Sequence, residues 1–364
     1  MLRPLEGIEK RFANPSFSTF NEFAIKLKDS KSVEKVVENF KKIFLGLRLK
    51  VVDEHFAKAD EDKVSSSIIK LPMWIQDCKI ACNWIYDNYT LPVNERLTTI
   101  ASNDRIVVVN SNQDVADCGF IIEAFKHCLD DDILNAYQNY PYHLSEDEKL
   151  VPVRESIAFK SEIERAEKNK PYLHHNQHCT SFPYNIQDPR FVNHCPTYIN
   201  YDDEIPFEML SCYDKKSKKP KRMNELLWTA ITMNQYAMSL NLQGSHYYKQ
   251  PLSLSTTIDT RKYADDRSQI NWRYANCVSA ANLSVSPKDD ITLLDLFKLF
   301  REDFNKLKKD AFYYWIKYGN FIGQPGRAYG MNTSMGPVII KPPILDFFIQ
   351  SKNRISENVE FTKD

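Results

Sequence analysis

The stretch Arg105–Cys128, RIVVVNSNQDVADCGFIIEAFKHC, constrains the fold more than any other part of the chain. It opens with four β-branched residues, Ile106–Val109, which predict a strand buried on both faces. The polar segment Asn110–Asp114 predicts a turn, and Phe120–Leu129 repeats apolar residues at helical spacing. Strand, turn and helix together indicate an α/β protein. Rigid elements on both sides make such a turn a suitable place for a site, although an ordinary connection has the same pattern.

The turn resembles a known motif. Its order of strand, polar pair, aspartate, glycine and helix is similar to the HHxxxDG motif of the chloramphenicol acetyltransferase-like superfamily. That superfamily includes fungal alcohol acetyltransferases, plant acyltransferases and condensation domains of peptide synthetases. Gln113 takes the place of the second histidine, Asp117 that of the aspartate and Gly119 that of the glycine, with Cys118 inserted before it. The histidines themselves are absent, because Asn112 and Gln113 stand in their places.

The resemblance implies an α/β fold in which two domains of mixed sheet and helices form a sandwich with an inter-domain tunnel. A length of 364 residues suits two domains. We expect an N-terminal domain over 1–170 and a C-terminal domain over 205–364. The crossover linker between them, 171–204, contains four prolines and little helical periodicity.

The missing histidine leaves two functions open. In the superfamily it takes a proton from an alcohol or amine as that group attacks an acyl-CoA thioester, and glutamine has no titrating nitrogen for this task. The first hypothesis is an acyl-CoA-dependent O- or N-acyltransferase with acetyl-CoA as co-substrate, acting on a small or lipid-like alcohol or amine. Gln113 would then position the substrate. The second is a catalytically degenerate relative that binds a ligand or protein partner.

Two neighbours of Gln113 are alternative sources of chemistry. Asp114 is expected to be solvated, and a carboxylate with an ordinary pKa is a poor base unless burial raises that pKa. Cys118 would become a nucleophile if the following helix N-terminus lowered its pKa. A small buried residue is the simpler interpretation of Cys118.

The resemblance also assigns a partner to the motif aspartate. Leu252–Arg261 predicts a strand that ends in an arginine, the position from which an arginine often pairs with this aspartate in the superfamily. A buried carboxylate needs such a partner, and a guanidinium satisfies it well. We therefore expect Asp117 and Arg261 to hold the turn, together with the structural residues Asn112 and Gly119.

Two further segments match the superfamily. Thr333 and Ser334, in GMNTSMG, resemble the strand that brings a hydroxyl or amide toward the acyl carbonyl, where a donor stabilises the oxyanion; a simple bend at glycine is the alternative. The basic run KKSKKPKR could bind the phosphates of coenzyme A through Lys219 and Arg222. The alternatives are a nuclear-localisation-like patch or a solvated loop, and the run by itself favours the solvated loop.

The composition limits the classes of partner and the cellular location that we expect for this protein. The 48 basic and 48 acidic residues cancel, so no net charge attracts nucleic acid. No segment approaches the roughly 20 apolar residues of a membrane span, and the first ten residues lack a signal-peptide pattern. The eight cysteines show no paired framework, which favours reduced thiols and a cytoplasmic location. We also expect a monomer.

A histidine-rich segment raises the alternative of a metal site. His174 and His178 have helical i,i+4 spacing, and His194 or Cys195 could complete a zinc site. Prolines surround the segment and no CxxC is present. We therefore interpret these residues as surface histidines in a loop and expect no metal.

Overall fold

The computed structural model describes residues 2–5, 8–14, 17–90, 92–129, 159–169, 213–216, 219–240, 252–263, 265, 277–286, 291–318, 327–332 and 340–355. The predicted linker over 171–204 lies outside these residues, as do the histidines of the alternative metal site. The domain boundaries therefore stay a prediction, with one correction given below. No helix in these ranges is long and apolar enough to cross a membrane.

Helices and strands are mixed along the chain. In order they are β1 (Arg3–Pro4), α1 (Ile8–Phe12), β2 (Ala13–Asn14), β3 (Phe17–Leu27), α2 (Ser30–Ile43), a 3₁₀ turn (Leu45–Arg48), β4 (Leu49–Val52), β5 (His55–Lys58), α3 (Glu61–Ser65), β6 (Ile68–Lys70), α4 (Cys78–Tyr89), β7 (Thr98–Ser102), β8 (Ile106–Asn112), α5 (Cys118–Cys128), α6 (Lys160–Asn169), β9 (Tyr213–Asp214), β10 (Lys219–Pro220), α7 (Met223–Leu240), β11 (Leu252–Asp259), a 3₁₀ turn (Arg261–Tyr263), β12 (Val278–Val285), α8 (Leu293–Tyr318), β13 (Arg327–Asn332) and β14 (Ile344–Ile355).

The larger sheet has the strand order β14–β3–β8–β7–β6, with β2 added beside β3. Strand β8 lies at its centre and is buried along its whole length, which confirms the prediction from its β-branched run. Val107 and Val109 pack with helices α2 and α5 on one face, whereas Ile106 and Val108 pack with α4 on the other. The motif turn therefore follows a strand that is fixed from both sides.

Two segments of the N-terminal half are locally determined. Helix α2 is capped by Asp29, because the Asp29 Oδ1 accepts the Ser32 N–H at 2.8 Å. The charged segment 53–67 contains β5, which is the antiparallel partner of β4, and α3. Asp53 and Glu54 adopt positive φ angles of 48° and 57°, which make the β4–β5 connection tight.

A second sheet, called the smaller sheet below, has the order β12–β11–β13, with β11 antiparallel to β12 and parallel to β13. Among the described residues, β1, β5 and β4 form another three-stranded sheet, and β9 pairs with β10. Helices α7 and α8 cover it, and Trp228 of α7 is almost fully buried in that core. The Trp228 Nε1–H donates to the Thr256 hydroxyl at 3.2 Å. Helix α7 begins at Met223, so Asn224 lies inside its first turn.

The last strand returns to the larger sheet. Strand β14 runs antiparallel to β3 from Ile344↔Leu27 to Ile355↔Phe17. Phe347 and Ile349 pack on the α2–α5 side. The predicted C-terminal domain therefore needs correcting, since 344–355 belongs to the sheet of the N-terminal half. The sequence offered no local sign of this return, because a strand's partner depends on distant residues.

Strand β3 also carries a carboxylate into the sheet. Glu22 is 0% exposed, and burial raises its pKa well above the ordinary value. Lys352 and Gln350 of β14 oppose this shift only in part, and Asp87 of α4 adds to it. Because the pKa of Glu22 is raised in the folded state, its stabilising contribution is fully present at pH values below about 4.3, the pKa in the unfolded chain. The contribution is lost as the pH rises through the folded-state pKa.

We therefore expect Glu22→Gln to raise the free energy of unfolding at pH 8 by about 1–3 kcal/mol relative to wild type. The gain should shrink as the pH falls toward 4, because the glutamate is then protonated as well. Urea unfolding at several pH values measures this difference, with the exposed Glu34→Gln as the matched control. A gain that does not depend on pH would contradict the prediction.

Candidate functional site

The turn between β8 and α5 is fixed by its own side chains. The Asn112 Oδ1 accepts the Asp114 N–H at 3.0 Å, and the Asn112 amide donates to the Phe12 carbonyl at 3.0 Å. The Gln113 N–H donates to the Thr19 carbonyl of β3 at 2.9 Å, and the Gln113 side chain is half-buried. The Asn112 side chain therefore helps to fix the turn, and Gln113 directly follows the central strand β8.

Asp117 caps helix α5 and accepts hydrogen bonds on both carboxylate oxygens. Oδ1 accepts the Phe120 N–H at 2.8 Å, and the Arg261 Nη2 lies 2.9 Å from each oxygen. Oδ2 also accepts the Cys277 N–H at 2.7 Å. The expected Asp117–Arg261 pair is therefore present. Because these donors occupy the carboxylate, Asp117 is placed to hold the turn rather than to take a proton from a substrate.

Arg261 connects the turn to the smaller sheet. It follows β11, and its side chain is 9% exposed. Its Nη1 also contacts the Asp259 Oδ1 at 3.2 Å. Burial by itself would lower the pKa of Arg261, but the neighbouring Asp117 is among the charges that raise it overall, so the guanidinium stays charged. One buried ion pair thus joins helix α5 of the larger sheet to the end of β11.

The position of the guanidinium explains the glycine of the motif. A Cβ atom at Gly119 would lie 3.0 Å from the Arg261 Nη1 and 3.3 Å from the Asp117 Oδ1. Only a residue without a side chain leaves the arginine its full approach to the first turn of α5. Gly119 therefore allows this close approach even though Cys118 is inserted before it.

We expect Gly119→Ala to lower the free energy of unfolding by about 1–3 kcal/mol, because the added methyl group displaces a buried, paired guanidinium. Thermal and urea unfolding followed by circular dichroism measure the loss. Ser30→Ala, in the exposed first turn of α2, is the control and should change stability by less than about 0.5 kcal/mol. An unchanged stability for Gly119→Ala would contradict the close approach of Arg261.

Asp114 is not solvated as predicted. It is 1% exposed, and neither carboxylate oxygen receives a hydrogen bond from a described residue. Burial raises the pKa of Asp114 well above its ordinary value, Glu9 adds to the shift and Arg3 opposes it. The sequence prediction failed because it placed the residue in an open turn. In fact the buried Arg3–Glu9 ion pair of the N-terminal segment lies close enough to affect Asp114.

Cys118 is not an activated nucleophile. Burial, followed by the charge of Asp117, raises the pKa of the thiol to about 12, although a hydrogen bond with Ser351 opposes the shift. The position at the first turn of α5 does not overcome this desolvation. The simpler interpretation, a small packed residue, agrees with this environment.

The other predicted site residues are not brought to the turn by any described contact. Thr333 and Ser334 lie outside the described residues, so their assignment to the oxyanion stays a prediction. The backbone of Lys219 lies opposite that of Asp214 in the antiparallel pairing of β10 with β9, and Arg222 is exposed, with a φ of 59°, immediately before α7. Their assignment to coenzyme A phosphates also stays a prediction.

A cavity among the described residues is located away from the turn. It has a volume of about 510 Å³ and includes Ser102, Asn103 and Asp104 of the β7–β8 connection, which is the opposite end of β8 from Gln113. The inter-domain tunnel at Gln113 therefore stays a prediction.

The sequence did not predict the hydrogen bond from the Cys277 N–H to Asp117, because a backbone donor is not identified by any residue pattern.

Comparisons with known proteins identify the fold. No protein-family model matches the chain, and no curated protein matches it. Among solved structures, polyketide synthase associated protein 5 from Mycobacterium tuberculosis is 13% identical, with a TM-score of 0.56 over 98% of this chain and 88% of that one. The first condensation domain of the calcium-dependent antibiotic synthetase, in complex with a substrate analogue, is 11% identical, with a TM-score of 0.50 over 96% and 85%. The chain therefore has the chloramphenicol acetyltransferase-like fold of the condensation domains, as the motif turn predicted.

Proposed function

We propose that the protein is an acyl-CoA-dependent N- or O-acyltransferase that uses acetyl-CoA and acts on a small or lipid-like amine or alcohol. The observation that supports this proposal is the motif turn itself, held by the Asp117–Arg261 pair in a fold shared with acyl-transferring condensation domains. A turn fixed by buried charges on rigid elements is suited to aligning two substrates.

Gln113 favours an amine over an alcohol as the acceptor. An alcohol must lose its proton as it attacks the thioester, and the side-chain amide of Gln113 cannot take that proton. A neutral amine is already nucleophilic and can lose its proton to water after attack. Gln113 would donate or accept a hydrogen bond that orients the acceptor. Asp114, whose pKa is raised by burial, is the second candidate for a proton acceptor at this turn.

The same glutamine supports a second candidate function. A chain that keeps the paired aspartate, the arginine and the glycine, but no histidine, retains the residues that maintain the turn and lacks the expected base. It would bind a ligand or a protein partner without acyl transfer. Binding of acetyl-CoA without release of coenzyme A would distinguish this function from the first.

We expect wild-type protein to release coenzyme A from acetyl-CoA faster with primary amines than with the matching alcohols. Release of the free thiol, measured with a thiol reagent across paired amines and alcohols of equal chain length, tests this. The rate with an amine should rise with pH as the amine loses its proton, without a step near the histidine pKa of about 6.5. If no acceptor raises the rate above spontaneous hydrolysis while acetyl-CoA still binds, the second function replaces the first.

A further inference from the structure

Strand β3 contacts the motif turn at two points, once through its backbone and once through a side chain. The Gln113 N–H donates to the Thr19 carbonyl at 2.9 Å. Two residues further along β3, the Asn21 side-chain amide donates to the Ala116 carbonyl at 3.2 Å. Asn21 is 1% exposed and Ala116 is fully buried, so water does not readily replace this bond. Strand β3 therefore fixes both ends of the segment that leads from Gln113 to Asp117.

Two other hydrogen bonds of this segment join it to its own strand, β8. The Asp114 N–H donates to the Asn112 side-chain oxygen at 3.0 Å, and the Val115 N–H donates to the Asn112 carbonyl at 3.2 Å. The Asn21 bond differs from these because it joins the segment to the neighbouring strand β3. A turn that is attached to two strands has less freedom to move than a turn attached to one, so Asn21 limits the movement of the turn.

Ser351 of β14 orients the Asn21 side chain. The two residues lie directly opposite each other in the pairing of β14 with β3, and the Ser351 hydroxyl donates to the Asn21 Oδ1 at 2.5 Å. An amide has its acceptor oxygen and its donor nitrogen at opposite ends, so a donor at the oxygen leaves the nitrogen to face Ala116. The Ser351 hydroxyl also forms a hydrogen bond with the Cys118 thiol in the first turn of α5. The last strand of the chain thus acts on the motif turn through Asn21.

An equivalent bond is present at the other end of helix α5. The Asn39 side-chain amide of α2 donates to the Cys128 carbonyl at 2.9 Å, and Asn39 is 7% exposed. Both bonds join a buried side-chain amide to a backbone carbonyl. They are separated by the length of α5, which has 11 residues and is therefore about 16 Å long. Asn39 is thus a matched residue that stabilises the same helix without contacting the turn.

We propose that Asn21 is a positioning residue for the acyl transfer, because it holds the Ala116 carbonyl and so fixes Gln113 relative to Asp117. Ser351 assists by keeping the Asn21 amide in the orientation that donates to Ala116. Neither residue needs to contact a substrate for this role. The inference rests on the proposed function, in which Gln113 aligns the acceptor. Small displacements of an aligning group lower the rate strongly, since the reacting atoms must be held in a narrow range of geometry.

Amide hydrogen exchange tests the hold on the turn without requiring any activity. We expect Asn21→Ala to raise the exchange rates of the Val115 and Phe120 amides by about tenfold or more. Asn39→Ala is the control and should change these two rates by less than about threefold. Each variant loses one buried amide-to-carbonyl bond, so the urea midpoints of the two variants should fall by similar amounts.

Acetyl transfer to a primary amine tests the role in the reaction. We expect Asn21→Ala to lower kcat by about tenfold or more and to leave the KM for acetyl-CoA within about twofold of wild type. Asn39→Ala should keep both constants within about twofold, although its stability falls as well. This difference between two equally destabilised variants separates positioning from a loss of folded protein.

Ser351 supplies a milder pair of variants, because it is exposed and its substitution should leave the protein folded. Ser351→Ala should lower kcat by about threefold, and Ser351→Thr, which keeps the hydroxyl, should restore it. If Asn21→Ala fails to fold, this pair and the exchange rates of its members decide the proposal.

The outcomes separate the positioning role from the proposed chemistry. Faster exchange at Val115 and Phe120 in Asn21→Ala, with no acetyl transfer by wild type, would support the hold on the turn and remove the proposed function. Unchanged exchange at these amides would overturn the proposal. An equal fall of kcat in Asn21→Ala and Asn39→Ala would overturn it as well, as would equal rates for Ser351→Ala and wild type.

Discussion

Arg261→Ala is expected to lower the free energy of unfolding by about 3–5 kcal/mol, the usual cost of leaving a buried charge without its partner. The substitution removes the guanidinium that contacts both oxygens of Asp117 at 2.9 Å, while the carboxylate stays inside, with its side chain 6% exposed. The remaining donors, the Phe120 and Cys277 N–H groups, do not replace the lost positive charge.

Urea unfolding measures this effect, and Lys298→Ala is the control. Lys298 pairs with Asp295 at 2.9 Å, but both side chains are about half-exposed or more, so the loss should stay below about 1 kcal/mol. The double variant Asp117→Asn with Arg261→Met removes both charges and should be more stable than Arg261→Ala alone. If Arg261→Ala costs no more than Lys298→Ala, the pair does not hold the two sheets together.

Gln113→His is expected to raise the rate of acetyl transfer to an alcohol by about 10²–10⁴-fold, the usual contribution of a general base. The position already lies at the end of a rigid strand beside a turn that Asn112 and Asp117 hold, so an imidazole would enter an ordered site. The gain with an amine should be smaller, because a neutral amine does not need its proton removed before attack.

The pH dependence of the variant distinguishes a base from a change of shape. Gln113→His should show a rise in rate through about pH 6.5, the ordinary histidine pKa, and wild type should not. Gln113→Asn is the matched control, because it changes the length of the side chain without adding a titrating nitrogen. Asp114→Asn shows whether the buried carboxylate takes part in either protein.

The local pattern of the chain predicted the elements around the turn, because they depend on short-range periodicity. The β-branched run Ile106–Val109 lies within buried β8, and the spacing of Phe120–Leu129 gave α5. The Asp117–Arg261 pair was predictable only through the resemblance, since 144 residues separate its members.

Features that depend on distant packing were not predictable. The burial of Asp114 depends on the N-terminal segment with Arg3 and Glu9, and the place of β14 depends on the free side of β3. The hydrogen bond from the Cys277 N–H to Asp117 was not predictable either, because almost every residue type has a backbone N–H.

We propose that this turn is a site of acyl transfer in which Gln113 occupies the place of the general base. The ratio of kcat/KM for Gln113→His to that for wild type, measured with acetyl-CoA and a primary alcohol at pH 8, tests this proposal most directly. We expect a ratio of about 100 or more. A ratio near one, from a folded variant that still binds acetyl-CoA, would contradict it.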